Sequence, residues 1–128
     1  MFYEELYNEL GKLFYHIAAI DGQVKPSEKE SLQQLIHNKW KPLEDSTDSF
    51  GTDQANLIDF AFDYEEAEGK EENGIESFES FYLENKTKFN PVIINNILQT
   101  CEAIASAYHG KNKTEQKVLD RIKKVLKN

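Results

Sequence analysis

IAAIDGQVKPSEKESLQQLI, residues 17–36, returns near the other end of the chain as IASAYHGKNKTEQKVLDRIK, residues 104–123. Without a gap, Ile17 matches Ile104, Ala18 matches Ala105, Ser27 matches Thr114, Glu28 matches Glu115, Leu32 matches Leu119 and Leu35 matches Ile122. In both copies an apolar helical stripe stops, a short polar turn follows, and a Ser/Thr-Glu pair opens another helix. The copies predict two helical hairpins, over about residues 2–40 and 90–127, with an acidic insert over about residues 43–89 between them.

Working outward, Leu6, Leu10, Leu13, Phe14 and Ile17 share one helical face, which predicts a first helix over about residues 2–20. It ends at Asp21-Gly22, where glycine can take the left-handed conformation that closes a helix. Ser27 is expected to cap the second helix, with Glu30 in the reciprocal capping-box position and Leu32, Leu35, Ile36 and Trp40 facing inward until Pro42 stops it. After a polar loop, Leu57, Ile58, Ala61 and Phe62 predict a third helix begun near Asp53, fading into the glycine-bearing stretch from Glu65 to Gly74, which is expected to be mobile. Ile75, Phe78, Phe81 and Tyr82 predict a short fourth helix. Asn90-Pro91 caps a long fifth, with Ile94, Ile97, Leu98, Cys101, Ile104, Ala105 and Tyr108 on its inner face, and Thr114 opens the last. No stretch alternates with the period of a strand. The expected fold class is all-α, a bundle of about six helices in a single domain over residues 1–128, since 128 residues at 39% apolar content suffice for one core.

Charge is distributed unevenly. Residues 44–84 carry fourteen acids against Lys70, whereas residues 85–128 carry three acids and nine bases, within a net charge of −8. Such an acidic middle repels nucleic acid and anionic membrane surfaces and attracts cations or basic partners; equally, acidic middle and basic end can attract each other within the fold. Cys101 is the single cysteine, so no intrachain disulfide holds the fold. The acidic N-terminal stretch lacks the pattern of a signal peptide, and no apolar run approaches the roughly 18 residues of a membrane span, so a cytoplasmic protein without membrane insertion is expected.

The motif IAAIDGQVKPSE, residues 17–28, resembles the signature of the TerB-like family, which takes in the tellurite-resistance TerB proteins and the N-terminal domain of the membrane-anchored co-chaperone DjlA. In that family Ala-x-x-Asp-Gly ends one helix and a Glu five or six residues on opens the next, twice, around a pseudo-twofold. In the second copy Tyr108-His109 stands where the family has Asp-Gly, with the glycine displaced to Gly110 and Glu115 in place. The resemblance implies a compact helical domain without catalytic activity that binds a divalent cation through its motif acids and acts in stress-response complexes at the inner face of the membrane. Carried over, it nominates Asp21, Glu28 and Glu115 as metal ligands, with one carboxylate lost where Tyr108 stands in place of the second aspartate.

Oxygen ligands of this kind suit Ca²⁺ or Mg²⁺. The same residues have a reading without metal: Asp-Gly is ordinary turn chemistry, and an acid in the first turn of a helix is stabilised by the helix dipole by roughly 0.3 to 1 kcal/mol. Tellurite itself is an oxyanion that an acidic domain repels. Cys101 and His109 lie two helical turns apart, too far for a nucleophile–base pair, and no hydrolase, zinc-protease or phosphate-loop pattern occurs, so no enzyme is expected. The lysine-rich end lacks interleaved aromatic residues, which argues against nucleic acid. Most aromatic residues are expected in the core, but Phe78, Phe81, Tyr82 and Leu83 cover more than one face of a short helix, and Phe78, Phe81 and Tyr82 with Phe89 beside that helix are the expected contact surface for a protein partner. Two functions stand: a TerB-like stress-response binding domain with a divalent cation and a protein partner, or a purely structural helical interaction module with no metal.

Overall fold

In the computed structural model, the described residues are 2–20, 22–43, 54–68, 74–107 and 113–127. They form six α-helices and no strand: α1 (Phe2–Ala18), α2 (Pro26–Leu35), α3 (Asn56–Glu68), α4 (Gly74–Asn85), α5 (Pro91–Ser106) and α6 (Lys113–Leu126). The expected all-α bundle is what the chain adopts. The loop expected over residues 43–52 falls almost wholly on residues outside the described ones, as do Asp21 and Tyr108.

The first hairpin forms for the reasons its sequence supplies. Glu4 and Glu5 lie in the first turn of α1, where negative charge favours the helix dipole, and Leu6, Tyr7, Leu10, Leu13 and Phe14 are wholly buried along one stripe. Gly22 closes the turn at φ +98°, its N–H donating to the Ala19 carbonyl at 2.9 Å. The start of α2 differs from expectation. Pro26, whose ring presets helical φ and whose missing N–H costs nothing at a helix start, occupies the first helical position, so Lys25 is the N-cap and Glu28, not Glu30, is three residues on. The Lys25 backbone N–H donates to Glu28 Oε1 at 2.7 Å. Ser27 lies inside the helix, and its buried hydroxyl has no hydrogen-bond partner among the described residues.

Beyond Leu35 the helix opens into a π-turn over Ile36–Trp40 and then tightens into a 3₁₀ turn, Lys41–Leu43, around Pro42. The wide turn slows the backbone's rotation, so Leu32, Ile36 and Trp40 all enter the core. Trp40 is wholly buried, its ring edge-on to Tyr7 at 6.3 Å and tilted against Phe14 at 6.4 Å. Its indole N–H donates to Thr100 Oγ1 at 3.0 Å, the Thr100 hydroxyl donates to the Asn96 carbonyl at 2.8 Å, and the Asn96 amide donates to the Lys39 carbonyl at 3.1 Å. Two helical turns of α5 are thereby tied to the end of α2.

Asn90 caps α5 as expected, its Oδ1 accepting the Ile93 N–H at 2.8 Å, with Pro91 first in the helix. The inner face of α5 is rotated from the expected one: Ile93, Asn96, Ile97, Thr100, Cys101, Ile104 and Ala105 are buried, while Ile94 and Leu98 are only half-buried. Reading apolar residues alone misplaces this face because Asn96 and Thr100 enter the core as hydrogen-bonded groups. The internal repeat holds in three dimensions. α6 begins at Lys113, the position equivalent to Pro26, and the equivalent pairs Leu6/Ile93, Leu10/Ile97, Leu13/Thr100 and Phe14/Cys101 are all wholly buried. Phe2 packs edge-on against Phe89 at 5.6 Å, and Trp40 bridges the middle of α1 to the middle of α5, so the two helices run the same way.

The stretch between the hairpins supplies α3 and α4, both packed on α1. At Gly11 the approach is so close that a Cβ would sit 2.4 Å from Ala61 Cβ and 2.7 Å from the Ile58 carbonyl oxygen. α3 continues through Glu65, which is buried, to Glu68, so residues 65–68 of the stretch expected to be mobile are helical instead, and residues 69–73 lie outside the described ones. α4 is tied to α1 by the Ser77 hydroxyl, which donates to Glu9 Oε2 at 2.6 Å, and to α6 by Arg121, which grips Glu79 with two hydrogen bonds at 3.0 and 2.6 Å. That fork joins the basic end to the acidic middle, the internal attraction that the charge distribution allowed.

Thr100→Val conserves shape but leaves the Trp40 N–H without its acceptor, and is expected to cost about 1–3 kcal/mol. Thr100→Ser is expected to cost less; urea unfolding followed by the fluorescence of the single tryptophan reads both. Gly11→Ala is expected to cost about 1–3 kcal/mol in the same measurement. Ala61→Gly is not expected to restore it, because the Ile58 carbonyl remains in the way.

Candidate functional site

Glu28 and Glu115 occupy equivalent positions in the first turns of α2 and α6, and both are buried, at 3% and 6% exposure. Since α1 and α5 run in the same direction, the ends from which α2 and α6 return lie at one end of the bundle. The Glu28 carboxylate already serves as acceptor for the Lys25 N–H. Asp21, the third nominated ligand, lies outside the described residues. Among the described residues no three histidine, cysteine, aspartate or glutamate side chains are grouped to hold a metal ion.

The residues expected to meet a partner do not form a surface. Phe78, Phe81, Tyr82 and Phe89 are all buried, with at most 8% exposure. The reason is Phe89: from the link between α4 and α5 it turns inward and takes edge-on contacts from Tyr82 at 4.9 Å, Phe81 at 6.0 Å and Phe78 at 6.3 Å, and Phe2 stacks on Phe81 at 5.9 Å. A short helix with apolar residues on two faces is covered on both, one side by α1 and the other by this linker. On α4 the large apolar residue left in solvent is Leu83, at 67% exposure.

Sequence reading missed the exposed aromatic pair on α3. Phe60 is 64% exposed and Tyr64 56%, four residues apart on the face opposite Ile58 and Phe62. The signal was available: a helix in which Phe60 and Tyr64 fall outside the stripe of Ile58, Phe62 and Glu65 cannot bury all its aromatic residues on one side. On the flank of α3, Lys29 from α2 reaches across to Asp59 at 2.5 Å and to Asp63, with its ammonium 4.5 Å from the centre of the Phe62 ring.

Between the π-turn and the start of α3 lies an open groove of about 210 Å³, lined by Gln33, Ile36, His37, Lys41, Asn56 and Asp59. This is smaller than the roughly 300 to 1,000 Å³ usual for small-molecule sites. The one thiol offers no nucleophile: burial, and secondarily the Glu102 carboxylate, push Cys101 far above the ordinary thiol range. His16, half-buried on α1, is held below its usual pKa first by burial and then by the Arg121 cation.

No helix among the described residues is long and apolar enough to cross a membrane. No curated protein and no solved structure matches the chain. The family model described as tellurite resistance protein TerB matches residues 9–127, a span that takes in most of the first hairpin, the second hairpin and the acidic stretch between them. The chain belongs to the TerB family.

Proposed function

We propose that this chain is a non-catalytic cytoplasmic binding domain of stress response, holding a protein partner in a complex that can assemble at the membrane face, with a divalent cation, Ca²⁺ or Mg²⁺, at Asp21, Glu28 and Glu115. The observation that carries the reading is the burial of Glu28 and Glu115 at equivalent helix starts. An oxygen-only donor set of this kind suits a hard cation. The fit is incomplete within the described residues: two carboxylates fall short of the six to eight oxygens calcium takes, so the cation reading depends on Asp21, backbone carbonyls and water. The cation would neutralise the turn acids and fix the two helix starts relative to each other.

The hydrogen bond from Lys25 to Glu28 favours the second reading, a structural interaction module without metal, because it gives Glu28 a role as a cap. Glutamine preserves that cap and removes the charge, which separates the two. On the cation reading, calorimetry with millimolar Ca²⁺ or Mg²⁺ shows binding to the unaltered chain that Asp21→Asn, Glu28→Gln and Glu115→Gln each weaken. On the structural reading no heat appears with either ion, Glu28→Gln is near neutral, and Glu28→Ala costs about 0.5–1.5 kcal/mol in urea unfolding whether or not metal is present.

A further inference from the structure

The open groove between the π-turn and the start of α3 gathers polar side chains that the fold itself does not use. Gln33, His37 and Lys41 follow one another four residues apart from α2 through the π-turn into the 3₁₀ turn, and Asn56, the first residue of α3, stands on the other wall. None of these four side chains makes a hydrogen bond or an ion pair among the described residues. Together they offer an ammonium, an imidazole N–H and two carboxamide NH₂ groups. Ile36, at 3% exposure, supplies the apolar part of the lining. Asp59, the acid on this wall, is ion-paired with Lys29 at 2.5 Å, so Lys41 is the unpaired charge of the groove.

We infer that this groove binds a small monocarboxylic acid as its anion, with the carboxylate on Lys41, hydrogen bonds to it from Gln33, His37 and Asn56, and a short aliphatic part against Ile36. Charge, the helix start and size select this ligand. One unpaired ammonium balances one negative charge, and a chain of net charge −8 disfavours a second. Phosphate is close to a dianion at neutral pH and is held by clustered cations or by free N–H groups at a helix start. Here the N–H groups of Leu57 and Ile58 are spent on the Gln54 and Ala55 carbonyls, at 2.9 and 3.1 Å, so α3 offers no such cradle. The groove measures about 210 Å³. At about 30 Å³ per water that is room for about seven waters, which an acid of about six heavy atoms matches and a nucleotide exceeds. The site is at the end of α2 remote from Glu28, so it goes beyond the cation reading and does not depend on it.

The test is an NMR titration of the nitrogen-labelled full chain, free of metal, with butyrate and with butyramide as its uncharged isostere. Butyrate is expected to shift the amides of residues 33–41 and 54–59 with a Kd in the millimolar range, and butyramide to shift none of them. Lys41→Gln is expected to weaken butyrate binding about tenfold, the loss of a charged hydrogen-bond partner. Asn56→Asp conserves shape and puts its charge at a helix start, where it is favourable, so the variant should keep its melting curve while its added charge abolishes butyrate binding. Equal shifts with butyramide, no saturable shift at millimolar butyrate, or full butyrate affinity in Lys41→Gln or Asn56→Asp overturns the inference. Inorganic phosphate binding more tightly than butyrate at the same amides overturns it in favour of a phosphate site. A tripeptide that binds there more tightly than butyrate, and loses that binding when its C-terminus is amidated, overturns it in favour of the chain end of a partner protein. No variant here alters Glu28 or Glu115, so the cation reading is decided separately.

Discussion

The architecture hangs on one indole N–H. Trp40 is the largest side chain in the core, and a buried indole needs an acceptor that an apolar interior does not offer. Thr100 provides it from α5, and the same hydroxyl returns its proton to the helix backbone at Asn96, whose amide in turn reaches the Lys39 carbonyl beside the indole. The circuit is closed, with each donor spent on a neighbouring acceptor. Apolar packing between the hairpins would tolerate small slides and rotations; these bonds, with their strict geometry and the penalty for leaving any one unmade, allow a single register. The π-turn belongs to the same constraint, because it is the local change of helix pitch that aims the indole at α5.

Around that joint the internal repeat is preserved in burial and broken in surroundings. α2 packs on α5, whereas α6 packs on α5 and α4, because α3 and α4 have taken the flanks of α1. What reads in sequence as an insert between two hairpins is thus the pair of helices that completes the wall around α1. The asymmetry also sorts the charges. Arg121 meets Glu79 where α6 crosses α4, and Lys29 meets Asp59 and Asp63 where α2 passes α3, so part of the acidic surplus of the middle is spent at helix junctions and part of it remains in solvent along α3.

Most of the helices were legible, since their apolar residues recur at the helical period and their ends carry glycine, proline or asparagine with definite roles. The repeat was legible too, down to the matched positions of Glu28 and Glu115. Three features were not, each for a physical reason. The start of α2 was misplaced by one serine because proline at the first helical position outranks a hydroxyl cap two residues too far along. The inner face of α5 was misread because a polar side chain with a buried partner behaves as a core residue, and that partner, Trp40, is distant in sequence. The aromatic residues of α4 were taken for surface because nothing local reveals that Phe89 folds back over them, while the pair that does face solvent lay on α3, outside the stripe of Ile58 and Phe62. Of the nominated acids, sequence identified the two that are buried but could not tell a cap from a ligand.

Cys101 lies at the centre of α5 with no exposure at all. Oxidants and disulfide reagents attack thiolates, and here the thiolate is suppressed and its sulfur screened by packed side chains on every side. The thiol therefore presents no redox handle while the chain is folded: peroxide, glutathione disulfide or an electrophilic metalloid does not reach it until α5 lifts from its neighbours. Oxidation of this thiol is governed by how often the core opens, and each interaction that holds the two hairpins together also protects its sulfur.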